Sequence, residues 1–239
     1  NFNFLNSKYL IKLIAITNYV KNDYIKNYHI NTNKIIVLPS GSSIKENYNY
    51  PLNKKKLNIG YLGSLYKSRG LELIMKLAKI DPKNNYYVYG NKKQIKISIS
   101  KKIEKNLYLN DYVPYKKISK ILLNMDLLLM PYTSSITVAG DVGDITRYTS
   151  PLKLFDYLSA GRPIICSNFE VLKEIVDDNT NVIFVKNYQN VFAWKKEITK
   201  LKNQSEKMKI ISKNNYKLSK KFSLKKRAKK IIDEINNFI

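Results

Sequence analysis

Residues 126–132, DLLLMPY, are apolar at every position from Leu127 to Met130. A strand made of them is therefore buried on both faces, which happens inside a parallel sheet covered by helices and rarely elsewhere. The rest of the chain agrees with that demand. Short β-branched or aromatic runs, closed by Gly, Pro or Asn, alternate with segments that carry apolar residues at helical spacing.

In order, Tyr19, Val20, Tyr24 and Ile25 mark a helix that feeds a buried strand in KIIVLPSG (34–41), and residues 42–56 are polar and linker-like. NIGYLGS (58–64) is a strand entering a Gly-loop, GLELIMKLAKI (70–80) an amphipathic helix, and NYYVYGN (85–91) a strand followed by a basic helix. NLYLNDYVP (106–114), DLLLMPY, PIICSN and NVIFVK supply further strands. Helices are expected at ISKILLN, at 151–160, at 170–176 and from NVIFVK to the end. The class is α/β, a doubly wound, Rossmann-like parallel sheet.

The chain has 239 residues, 44% of them hydrophobic, enough for one large core or two smaller ones. Cys166 is the only cysteine, so no intramolecular disulfide forms, and with His29 it cannot build a zinc cluster. His29 reads as a filler at a helix end. YLIKLIAITNYV and ILLNMDLLLMPY are broken by Lys12 and Asp126 and fall short of a membrane span. The chain starts Asn-Phe-Asn, which is expected of a processed or partial product.

Net charge is +25, with sixteen basic residues from Lys186 to Lys230 against only Glu197 and Glu206. A solvated lysine-rich surface is the first reading and an anionic membrane surface the second. Nucleic acid is not expected as a partner, since the basic stretch has no Arg/aromatic interleaving and no binding motif.

Ligands of such sheets sit beyond the carboxyl ends of the strands, and three loops there carry chemistry. GSLYKSRG (63–70) offers Gly63 for close backbone approach, with Lys67 and Arg69 as cations before a helix, a setting that suits phosphate. AGDVGDITRY (139–148) holds two acids and Arg147. SPLKLFDYLSAGRPIICSN (150–168) makes Ser150 an N-cap and Pro151 the first helical residue, with free amides at Leu152 and Lys153. Leu152, Phe155 and Leu158 form the expected core-facing stripe. Asp156 lies off it, one turn beyond Lys153, where it could accept bonds from the hydroxyls of a ribose whose diphosphate rests on the amides. The competing reading pairs Asp156 with Lys153 on a solvated face. The chain has four arginines, and Arg69, Arg147 and Arg162 all fall in or beside these loops, which favours the ligand reading.

GSLYKSRG, NLYLNDYVP, DLLLMPY and SPLKLFDYLSAGRPIICSN, in this order and at these separations, resemble the C-terminal donor domain of group 1 (family 4) glycosyltransferases of the GT-B fold. The resemblance covers about residues 57–222. It implies that residues 1–46 are the end of an N-terminal acceptor domain, 47–56 a linker, 57–222 the nucleotide-sugar domain and 223–239 a helix returning to the first domain. It also implies a nucleotide-diphosphate sugar donor, transfer with retention to a glycan or lipid-linked acceptor, and no required metal or other cofactor. Arg69 stands where the family neutralises the leaving diphosphate, Ser150 and the amides of Leu152 and Lys153 would hold that diphosphate, and Asp156 stands at the second acid of the Glu-x7-Glu motif, on the ribose. Tyr112 and Val113 would lie against the base.

Ser64 occupies the place of a second phosphate-binding arginine and Tyr148 that of the motif's first acid, with Arg147, Asp141 and Asp144 as candidates to replace it. Relatives usually work at the cytoplasmic face of a membrane in surface polysaccharide or glycolipid assembly. A non-catalytic nucleotide-sugar-binding module, a GT-B sugar-nucleotide epimerase and, more distantly, a basic RNA-binding protein are the alternatives.

Overall fold

The computed structural model describes residues 2–44, 48–50, 55–95, 104–133, 136 and 143–237. The basic helix expected after NYYVYGN, part of the linker, and Asp141 lie outside the described residues.

A small βαβ unit opens the chain: β1 (Leu13–Ala15), α1 (Asn18–Tyr28) and β2 (Ile35–Val37). The Thr17 hydroxyl accepts from the Val20 amide and caps α1. His29 closes the helix in the left-handed region (φ 52°), donating its amide to the Ile25 carbonyl, a helix-end role as the sequence implies. β1 is not expected from the sequence. It exists through parallel pairing with β2, Leu13 opposite Ile35, over a core of Leu5, Ala15, Ile30 and Ile35.

The main body runs β3 (Asn58–Leu62), α2 (Leu71–Ile80), β4 (Asn85–Tyr89), β5 (Leu107–Asn110), α3 (Tyr115–Leu123), β6 (Leu127–Met130), α4 (Leu152–Ser159), β7 (Ile164–Ser167) and β8 (Val182–Val185), then α5 (Val191–Lys202), α6 (Ser205–Ser219) and α7 (Leu224–Asn236). The six-stranded sheet is parallel throughout, in the order β5-β4-β3-β6-β7-β8. Successive residues of each central strand feed opposite cores. Ile59, Leu127, Leu129, Ile165 and Ile183 pack with Ile74 and Leu77 of α2 and Trp194 and Ile198 of α5. Leu128, Met130, Ile164, Cys166 and Val182 pack with Leu122 of α3 and Leu154 and Leu158 of α4. Both faces are covered, as the uninterrupted LLLM run requires. The helix expected at 170–176 is instead a 3-10 helix, Glu170–Glu174. The Glu174 carboxylate accepts from both the amide and the side chain of Asn18, so the segment turns toward α1 rather than extending.

Among the described residues no helix is long and apolar enough to cross a membrane. α7 runs back along the opening unit. Ser42 exchanges backbone bonds with Phe222 and Leu224, Arg227 Nε donates to the Pro39 carbonyl, and Lys12 pairs with Glu234 at 3.5 Å.

The order in which strands are added reverses between β3 and β6, the switch point beyond whose carboxyl ends a crevice lies. Gly70, at φ 82°, lets the β3 loop turn tightly into α2. A Cβ there would sit 1.8 Å from the Pro131 carbonyl oxygen of the β6 loop. Gly70→Ala is therefore expected to cost about 2 kcal/mol or more in urea unfolding, from strain and clash together; a loss below about 0.5 kcal/mol would show that the two loops separate freely.

Candidate active site

The crevice is a cleft of about 630 Å³ at the carboxyl ends of β3, β4 and β6, closed on one side by the start of α4. Of the residues singled out in the sequence, Gly63, Ser64, Arg69, Tyr112, Val113, Ser150, Leu152, Lys153 and Asp156 all line it.

Lys67 and Arg147 do not. Lys67 is exposed on the outside of its 3-10 turn, because three residues per turn put it away from Arg69. The Arg147 guanidinium lies over the Tyr19 ring of α1, 5.4 Å from its centroid. Its neighbour Tyr148 bonds Asp23 of the same helix, and Asp144 is taken by the Thr146 amide at 2.8 Å, bonds that hold its carboxyl below the usual range. The described part of this loop, 143–148, thus leans on the opening unit. Arg162 is also absent from the cleft. It is buried to 2% exposure, with its fork on the carbonyls of Asn49 and Leu123 at 2.8 and 2.7 Å. Arginine scarcity therefore points to the ligand only at Arg69.

The start of α4 differs from expectation by one residue. Pro151, not Ser150, is the cap position, since its ψ of 112° is extended and the helix begins at Leu152. Ser150 is not the N-cap: its hydroxyl accepts from the Ser40 amide at 3.2 Å, a partner 110 residues away. Leu152 is not a core residue either. It is 64% exposed at the mouth of the cleft, and Leu154 joins Phe155 and Leu158 inside instead. Leu152 and Lys153 remain in the first turn and line the same cleft as Arg69.

Lys153 and Asp156 share a side of α4 but do not pair. The Lys153 Nζ donates to the Tyr61 hydroxyl at 2.8 Å, 4.1 Å from the Tyr61 ring centroid and 5.3 Å from that of Tyr132. A Cβ on Gly63 would lie 2.8 Å from that nitrogen, so glycine there makes room for the amine. Arg69 stands over the Tyr132 ring at 5.6 Å. Burial first, and Arg69 second, push the Lys153 amine well below the usual lysine range.

Asp156 sits farther along the cleft, where it accepts from the Ser42 hydroxyl at 2.6 Å and the Tyr115 hydroxyl at 2.8 Å. Burial raises its carboxyl above the ordinary aspartate value, and the two hydroxyls oppose that rise. Ser42 and Tyr115 escape the sequence reading. Ser42 is 114 residues from Asp156 and Tyr115 is 41 away, and neither falls in a motif. Tyr112 is 68% exposed at the opposite rim, its amide bonded to Asp111. The cleft thus has a basic end, with the Arg69 guanidinium, the Lys153 amine and the first turn of α4, and a carboxylate end at Asp156.

A six-stranded doubly wound parallel sheet with a charged cleft at its switch point defines an α/β domain of the class that takes its ligands at this position. The family model of the group 1 glycosyl transferases matches residues 42–218, and the chain belongs to that family. No curated protein matches it in sequence. Among solved structures, a variant of TarM from S. aureus, in complex with fondaparinux, alpha-GlcNAc-glycerol and UDP, matches 95% of the chain at TM-score 0.71 and 16% identity, over 44% of its own length. HepE from Anabaena, in complex with UDP, matches 95% at TM-score 0.69 and 12% identity, over 64% of its length. Sucrose-phosphate synthase from Thermosynechococcus elongatus matches 94% at TM-score 0.71 and 13% identity, over 57% of its length. The fold is that of the GT-B glycosyltransferases. The chain spans roughly half to two thirds of the length of these proteins.

Proposed function

We propose that the chain is the donor-binding part of a retaining glycosyltransferase that moves a sugar from a nucleotide-diphosphate donor to a glycan or lipid-linked acceptor, in surface polysaccharide assembly at the cytoplasmic face of a membrane. In this reading residues 1–46 end an acceptor domain, 47–56 link it to the donor domain at 57–222, and 223–239 return to it. The observation that carries the reading is the single cleft with Arg69, Lys153 and the first turn of α4 at one end and Asp156 at the other.

A diphosphate at the basic end is stabilised by Arg69 and by the amides of Leu152 and Lys153, where the helix dipole favours negative charge. Its ribose then meets Asp156, and its base lies toward Tyr112 and Val113. Charge grows on the diphosphate as the glycosidic bond breaks, and donors already fixed around it need no reorganisation at that moment. Side chains supply this positive charge, so no metal is assigned to the step. The UDP held by TarM and HepE supports a nucleoside diphosphate as the ligand class. α7 supports a membrane setting, since Leu224, Ile232 and Ile235 are exposed beside Lys225 and Lys229.

The Ser42 and Tyr115 hydroxyls both donate to Asp156 Oδ1, so in this reading the other carboxylate oxygen accepts from the ribose hydroxyls. Asp156→Ala is expected to weaken nucleoside diphosphate binding by roughly 10- to 100-fold. It is also expected to erase the preference for a ribonucleoside diphosphate over its 2′-deoxy form. Unchanged discrimination in Asp156→Ala would place the sugar of the nucleotide elsewhere.

A further inference from the structure

Resting on the donor reading above, we propose that Lys153 is a second cation of the donor diphosphate and that its charge forms on binding: the buried amine takes up a proton from solvent as the diphosphate enters. The geometry of the amine is the starting point. Lys153 Nζ donates to the Tyr61 oxygen, while the Tyr61 hydroxyl spends its own proton on the Ser64 carbonyl at 2.6 Å. The amine is thus held by a neutral phenol whose remaining lone pair it uses, and by the faces of two rings.

The groups around it come from four elements. Tyr61 belongs to β3, Tyr132 follows β6, Arg69 ends the 3-10 turn before α2, and Asp156 and Tyr157 lie on α4 itself. Tyr157 is bonded to the Leu62 backbone at 2.8 Å, and Asp156 to Ser42 and Tyr115. Among the described residues no carboxylate lies within ion-pair distance of Lys153. A charged ammonium here would face a guanidinium across one tyrosine ring. Burial and the neighbouring cation both oppose its charge in the donor-free protein.

A diphosphate reverses the balance. It brings negative charge into the cleft that Arg69 and Lys153 both line, and an opposite charge at contact distance favours the protonated amine. The nitrogen lone pair accepts the proton from a buffer acid, and the Tyr61 phenol keeps its own. Lysine suits this exchange better than arginine, whose charge cannot be shed. By linkage, donor affinity is full where the free amine is already protonated and falls as pH rises above that point, levelling off only above the raised value of the bound state.

The test is calorimetric titration with UDP, GDP and dTDP at about pH 8, where their phosphates are already ionised, in buffers of different ionisation enthalpy. The tightest binder is expected to take up close to ~1 proton per site, seen as a slope of heat on buffer enthalpy. Lys153→Met is expected to bind more weakly with no uptake, and Lys153→Arg to bind without uptake, because its cation is permanent. Diphosphate binding with no proton uptake in the wild-type chain, or uptake that persists in Lys153→Met, overturns the inference while leaving the donor reading intact. Binding of none of the three overturns the donor reading and the inference together.

Discussion

If the chain is the donor part of a glycosyltransferase, replacing Arg69 by alanine is expected to lower the rate of sugar transfer by roughly 10²- to 10³-fold while changing donor affinity no more than about 5-fold. The asymmetry follows from where charge appears. On the proposed reading the first turn of α4 and Lys153 also hold the diphosphate of the bound donor, so one missing guanidinium is partly covered. In the transition state additional charge collects on the departing oxygen, and a cation fixed before the reaction lowers that barrier specifically. Arg69 is well placed for this: its short turn is locked by Gly70 against the β6 loop, and its guanidinium rests on the Tyr132 ring at 5.6 Å. The check is steady-state sugar transfer, with donor affinity measured separately. Equal losses in turnover and affinity would make Arg69 a ground-state anchor with no part in leaving-group departure.

Arg162→Ala is expected to destabilise the fold by about 3–5 kcal/mol without any direct effect on the cleft. The guanidinium donates to the carbonyls of Asn49, Leu123 and Ala160, at 2.8, 2.7 and 3.3 Å, and lies 5.1 Å from the Tyr50 ring centroid. Removing it deprives the part-buried carbonyls of Asn49 and Leu123 and the buried one of Ala160 of that donor and opens a large void. It also unties three segments: the chain entering β3, the end of α3 and the turn after α4. Lysine will not restore the loss, because a single ammonium cannot span the carbonyls that the planar fork reaches. Urea unfolding of the two variants gives the comparison; a cost for alanine under about 1 kcal/mol would mean that water refills the site.

The sheet was legible because its central strands are apolar on both faces and its helices are not. LLLM, IICS and VIFV could be buried in only one kind of architecture, and their alternation with amphipathic segments set the order of elements. That Gly63 and Arg69 line the cleft was legible because loop chemistry beyond strand ends is local, and the place of Asp156 one turn into a helix starting there was legible from its spacing. What stayed hidden depends on partners distant in sequence. Ser150 has the chemistry of a helix cap, yet the Ser40 amide claims its hydroxyl. The competing pairing of Asp156 with Lys153 is not made, because Ser42 and Tyr115 donate to the carboxylate and the lysine turns to Tyr61. Arg147 and Arg162 were rare residues near the right loops, and their use by Tyr19 and by buried carbonyls leaves no trace at that distance in the chain. β1 is a strand only because β2 lies beside it.

Calorimetric titration of the chain with UDP, GDP and dTDP, each set against its uncharged nucleoside, is the most direct measurement. One diphosphate is expected to bind at a single site with micromolar or better affinity, to weaken by roughly 10-fold or more in Asp156→Ala, and to lose most of its binding when the phosphates are removed. Nucleoside binding as tight as the diphosphate, or no binding of any of the three, would contradict a cleft built to hold a diphosphate at one end and a ribose at the other.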